Sequence, residues 1–256
     1  VINKPILRIA IFYSLALGIS NIFRLHLFGY GDFEKQLSEL EVLATYPLHA
    51  VGIVLGYLAA IYLMKKNKSP QYSLFGDSVY SSIALALIPI ILIAVIGLGH
   101  SPETNPHIIG MVAAISTLLY CYFEEIGWRG YLHDELSSIK HWQRALLIGF
   151  LWWFWHLNFL INDANVLSEL IFVAILIASA WGLGKLIEHT KSILAVSSAH
   201  MIINILFLNA AFRQGMAFNA RLIVVGVSVI LFVIILVFWD KSKARKPNKK
   251  QRLLGG

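Results

Sequence analysis

Apolar runs of about twenty residues, parted by short polar stretches, fill the chain from end to end. Eight can be marked, at about 5–28, 43–64, 79–99, 107–130, 144–162, 166–187, 192–212 and 220–239. A helix rises 1.5 Å per residue, so about 20 apolar residues cross a hydrocarbon core of about 30 Å. The pattern predicts an all-α, polytopic membrane bundle of about eight transmembrane helices. The first run is impure, because Asn21, Arg24 and His26 fall in its last turns. These residues are expected to snorkel to an interface or to face the bundle. No small-residue cleavage site follows the run, which is therefore expected to be a span and not a removed signal peptide.

Composition supports this class. Of 256 residues, 58% are hydrophobic and 14% charged, against about 45–50% and about 25% in soluble chains. The mean hydropathy is +0.71. A net charge of +7 would suggest nucleic acid in a soluble protein. Here the basic residues gather in alternate loops and at the C-terminus, which is a topology signal. Lys4 and Arg8 open the first run, and Lys65, Lys66 and Lys68 follow the second. Lys140 and Arg144 follow the fourth, and Lys185 and Lys191 flank the end of the sixth. The intervening loops are acidic or neutral except for Arg213 and Arg221, which run against the trend. Both termini are thereby expected in the cytoplasm, with residues 1–240 as a single transmembrane catalytic domain in the cell membrane. Residues 241–256 are expected to form a basic cytoplasmic tail that anchors the topology and touches anionic lipid. The lone Cys121 permits no intramolecular disulfide. Residues 133–143 are expected to form a short amphipathic interfacial helix.

The ionisable residues within the runs are few. Glu124, Glu125 and Arg129 lie in the fourth, His156 in the fifth, and His200 with Asn204 in the seventh. A charge at the bilayer centre costs roughly 2.5–3.5 kcal/mol on insertion scales, so each needs a reason to be there. Glu125 and Arg129 are four residues apart, share a helix face and are expected to pair. Glu124 is turned about 100° away and is expected to stay free for chemistry, with His156 and His200 as its partners. The bland alternatives are a structural ion pair and packed, hydrogen-bonded histidines. The tryptophans around His156 are expected to face lipid or to pack. His49, His100, His107, His133, His141 and His189 sit near span ends or in loops and carry no case.

A glutamate, two histidines and an amide suit hydrolysis of a peptide bond. Glu124 would act as general base on water with help from His156, while His200 and Asn204 would donate to the oxyanion. A zinc variant would use Glu124, His156 and His200 as ligands. No H-E-x-x-H helix is present. Proton-coupled transport is the rival chemistry, although the paired repeats and broken helices common in transporters are not evident.

These residues carry a family resemblance. The string Glu124-Glu125-x-x-x-Arg129, extended as E-E-I-G-W-R-G, then His156, then His200-x-x-x-Asn204, resembles the CAAX-protease and bacteriocin-processing (CPBP, or Abi) intramembrane proteases. That family includes the Ras-converting CAAX endopeptidase. The resemblance covers about residues 120–204 and implies a helical bundle with a cavity opening to the cytoplasm. It implies Glu124 and His156 as water activators, His200 and Asn204 as the oxyanion site, and Glu125 and Arg129 as support. It leaves the cofactor as none or zinc; one carboxylate and an amide make a poor zinc set. The implied partner is a membrane-associated protein or peptide, whether CAAX-type or a bacteriocin leader. Some relatives are scaffolds, immunity proteins or partners without catalysis, which stands as the alternative. One departure is visible: the family's second motif commonly reads Phe-x-x-x-His, and Trp152 stands at the first position here.

Overall fold

The computed structural model describes residues 4–63, 71–99, 104–161 and 165–244. Lys65, Lys66, Lys68, His100 and the tail from residue 245 lie outside them. Among the described residues eight main helices run alternately up and down. They are α1 (Lys4–Arg24), α2 (Glu39–Tyr62), α3 (Val79–Ile96), α4 (Pro106–Glu135), α5 (His141–His156), α6 (Val166–Thr190), α7 (Ile193–Leu208) and α8 (Phe218–Ala244). Six are long and apolar enough to cross a membrane. The shorter two, α5 and α7, carry His156, His200 and Asn204.

Local sequence sets the starts. Asn105 accepts from the backbone N–H groups of His107 and Ile108, and Pro106 takes the first helical position of α4. Ser192 caps α7 by accepting from Ala195 N. Helix α2 begins four residues before its apolar run, at a capping box between Ser38 and Glu41. It tightens to a 3-10 stretch over Tyr46–Ala50, where Pro47 lacks an N–H. Helix α5 stops at His156 instead of continuing to 162, because Leu157 adopts a left-handed φ of 50°. No separate interfacial helix forms over residues 133–143: His133–Glu135 finish α4 and His141 opens α5.

Helices α1 and α2 meet across small residues. A Cβ at Gly56 would lie 2.5 Å from the carbonyl oxygen of Phe12, and one at Gly52 would lie 2.6 Å from Ser20 N. This Gly-x-x-x-Gly spacing lets the backbones touch, as membrane helices do when no hydrophobic force separates core from lipid. Gly56→Val is expected to destabilise the bundle by about 1–3 kcal/mol through overpacking. Thermal unfolding in detergent measures it, and an unshifted midpoint would contradict this contact. Inside, Trp128, Trp152, Trp155, Phe12 and Tyr131 form the bulky core. Tyr13 donates to Leu151 O (2.8 Å) and Trp155 Nε1 to Ala16 O (3.0 Å), tying α5 to α1.

Candidate active site

Glu124 and Glu125 end the regular part of α4, and both are fully buried. The next turns, Ile126–Leu132, widen into a π-helix. A second π stretch, Asn204–Leu208, begins at the last site residue of α7. Such bulges are frequent at functional sites because they re-aim side chains without ending the helix.

The two carboxylates have different surroundings. Glu125 Oε1 accepts from Arg129 Nη1 at 2.7 Å, the spacing-based pair. His200 Nδ1 lies 2.8 Å from the same oxygen, off the line of a well-directed hydrogen bond. The Arg129 guanidinium stacks on Trp152, 4.4 Å from the ring centroid. Glu124 Oε2 accepts from two indoles, Trp128 Nε1 at 3.1 Å and Trp152 Nε1 at 2.6 Å. Its Oε1 has no hydrogen-bond partner among the described residues. The expectation that Glu124 pairs with His156 and His200 is therefore corrected. Its partners are tryptophans, one of them on its own helix, and His200 turns to Glu125.

Trp152 was read from sequence as a packing or lipid-facing residue. It is buried, and beyond its bond to Glu124 it meets His200 edge-on at 4.9 Å. The signal was present at Trp128, four residues after Glu124 on one helix face. For Trp152 it lay in the departure from phenylalanine, which gives the ring a donor.

His156 is half-buried at the end of α5. Its Nδ1 lies 2.7 Å from Trp152 O. A carbonyl only accepts, so Nδ1 carries the proton and Nε2 keeps its lone pair. Arg24, at the end of α1, donates to the carbonyls of Trp155 (2.8 Å) and His156 (2.9 Å) and stacks over Trp155 at 4.4 Å. It thus satisfies orphan carbonyls at the helix C-terminus and favours that end's negative dipole. Asn204 Nδ2 donates to Cys121 Sγ at 3.1 Å, and the same thiol adjoins His200.

A cavity of about 810 Å³ meets this cluster. His156, Asn204 and Tyr120 line its inner wall, while Arg24, Glu169 and Arg213 line it towards one end of the bundle. Tyr46 and His49 also line it, and neither was picked from sequence. Glu124 and His200 stand behind the wall, and Tyr120 packs against Glu124. The mouth lies where α1 and α5 end and α6 begins. The Lys4 end of α1 and the last turn of α8 lie at the opposite end. Cytoplasmic termini and a cavity opening to the cytoplasm therefore exclude each other.

The zinc set expected from sequence does not fit. Among the described residues, the His/Cys/Asp/Glu group whose ligand atoms lie within 4.8 Å of one another is His133, His141 and Glu188, at the end away from the cavity. Glu124, His156 and His200 do not form such a group. Glu124 Oε2 and the Nδ1 atoms of both histidines are already turned to other partners.

A family model described as type II CAAX prenyl endopeptidase Rce1-like matches residues 81–206. That span contains every motif residue named above. The matched region belongs to this family. A comparison with curated proteins found no match. As an Rce1-like chain it falls among CAAX-type intramembrane endopeptidases, proteases that act on membrane-associated peptides. Its helices make it a multi-pass membrane protein.

Proposed function

We propose that this protein hydrolyses a peptide bond of a membrane-associated protein or peptide, using water activated by Glu124 and His156. One observation carries the reading: a buried carboxylate has one oxygen pinned by two indoles and the other without a geometric hydrogen-bond partner among the described residues, just behind a cavity wall bearing His156 and Asn204. Glu124 Oε1 takes a proton from water while the water oxygen attacks the scissile carbonyl. His156 Nε2 accepts the second water hydrogen bond and sets the direction of attack. Asn204 Nδ2 exchanges a weak thiol acceptor for the developing oxyanion, and His200 donates beside it. Glu124 then returns the proton to the leaving amine. Glu125 and Arg129 hold His200 and Trp152 in place. Residues 1–240 act as one membrane domain, with the basic tail as its topological anchor.

The test compares protein N- and C-termini in membranes of cells carrying the wild type or His156→Ala. New termini present only with the wild type identify the substrate and the cut. Identical termini, with both proteins inserted equally, would favour a second reading, that of a non-catalytic family member. The placement of Glu124 and His200 behind the cavity wall is the observation on that side.

Trp152→Phe restores the aromatic common in the family and removes one donor from Glu124. Loss of that buried, charge-assisted bond is expected to cost about 1.5–3 kcal/mol of stability. It is also expected to lower kcat with KM unchanged, since the indole aligns the base without touching substrate. Kinetics showing a change in KM alone would place Trp152 in substrate binding instead.

A further inference from the structure

We propose that His133, His141 and Glu188 form a zinc site at the end of the bundle away from the cavity, where Arg144 is the resident cation until the metal displaces it. The proposal is independent of the hydrolytic reading above.

Three helix ends build the cluster. His133 lies in the last turn of α4, His141 opens α5, and Glu188 stands two residues before the end of α6. Their ligand atoms all lie within 4.8 Å of one another. Helix α6 makes room for the rings. Gly184 is one turn before Glu188, and a Cβ there would lie 2.9 Å from His141 Cε1 and 3.0 Å from His133 Cε1. Glycine is costly inside a helix; here any side chain would push both imidazoles out.

The protons of the cluster leave three lone pairs facing one point. His141 Nε2 lies 3.1 Å from Trp181 O. A carbonyl only accepts, so Nε2 holds the proton and Nδ1 of the neutral ring keeps its lone pair. Arg144 Nη1 lies 2.9 Å from His133 Nε2. A guanidinium only donates, so this nitrogen presents a lone pair as well. Both face Glu188 Oε1, which is 3.1 Å from His133 Nε2 and 3.3 Å from His141 Nδ1. Acceptors this close repel unless positive charge stands between them. Arg144 supplies it to two of the three, through Nη1 and through Nη2, which is 2.7 Å from Glu188 Oε1. The group facing His141 Nδ1 is Glu188 Oε1, another acceptor.

Zinc would satisfy all three. It takes imidazole nitrogen and carboxylate oxygen at about 2.0–2.2 Å in a tetrahedron, which sets the ligand atoms about 3.3–3.6 Å apart. Two of the spacings here are already close to that edge, and water takes the fourth position. Trp181 O is the outer partner that orients a ligating histidine. Lys185 Nζ, 3.6 Å from Glu188 Oε2, stays on the other carboxylate oxygen. The His141 and Glu188 side chains are partly exposed, which gives an ion its way in. Bound metal ties α4, which carries Glu124 and Glu125, to α5 and α6.

The untagged full chain in detergent, dialysed against buffered Zn²⁺, tests the site through bound zinc and the melting midpoint. The wild type should bind one zinc per chain, and the midpoint should rise by about 5–10 °C at a hundredfold excess over Kd. His141→Gln and Glu188→Gln should each lose at least about 10–100-fold in affinity, the range for losing an outer partner of a ligand. Arg144→Met removes the competing cation and should tighten binding about tenfold, the worth of one charge-assisted hydrogen bond. Glu124→Gln should bind as the wild type does. Zinc retained by both ligand variants, or lost in Glu124→Gln, overturns the proposal. So does binding that is unchanged or weaker in Arg144→Met. Failure of both wild type and Arg144→Met to take up zinc would mean that a protonated His141 completes the cluster, and overturns it as well. Midpoints measured without zinc show which variants fold; should Glu188→Gln not fold, His141→Gln and Arg144→Met decide.

Discussion

Glu124→Gln is expected to lower turnover by about 10²–10⁴-fold while leaving the fold intact. The range is that of losing a positioned general base, or about 3–5.5 kcal/mol of barrier at 1.36 kcal/mol per decade. The amide keeps a carbonyl oxygen, so the indoles of Trp128 and Trp152 retain an acceptor. What is lost is an oxygen able to take a proton. Rates on the substrate found by terminal mapping measure the effect, with melting in detergent as the control. Turnover within a factor of three of wild type would remove Glu124 from the chemistry. A large fall in melting temperature would recast it as structural.

Arg129→Ala should have the largest effect on stability, about 3–5 kcal/mol. The guanidinium is fully buried against Glu125 and over Trp152. Removing it strands a fully buried carboxylate beside His200. Pairing Arg129→Met with Glu125→Leu removes both charges and should recover part of the loss, since a buried ion pair is often no better than apolar packing of similar volume. A double variant no more stable than the single would mean that His200 needs the carboxylate more than the carboxylate needs Arg129. An unchanged melting temperature in Arg129→Ala would refute the buried pair.

The spans were legible because a bilayer demands long apolar runs, which few other constraints produce. The Glu125–Arg129 pair was legible because helix periodicity fixes which side chains share a face. Less could be read where tertiary packing overrides local pattern. The apolar run through residue 162 gave no sign that Leu157 would end α5, since the stop depends on Arg24 of another helix taking the freed carbonyls. The partners of Glu124 were missed because tryptophan in a membrane helix is usually hydrophobic bulk. Its N–H becomes decisive only when a buried acceptor faces it. The place of His156 was misread for a related reason: the run to residue 162 put it inside a span, and it closes its helix instead. The cavity mouth follows from which helix ends come together, and this cannot be read from any one span.

The brevity of α5 has a consequence for the lipid around it. Its sixteen residues span about 24 Å, short of a hydrocarbon core of about 30 Å. Its outer face, with Leu146, Leu147, Phe150 and Phe154 exposed, is nevertheless apolar. Bilayers meet such hydrophobic mismatch by thinning locally. On the hydrolytic reading proposed above, a dimple beside α5 would shorten the distance a polar peptide travels to reach His156. Acyl-chain length would then tune turnover: short-chain lipids relieve the deformation, and long-chain lipids oppose it.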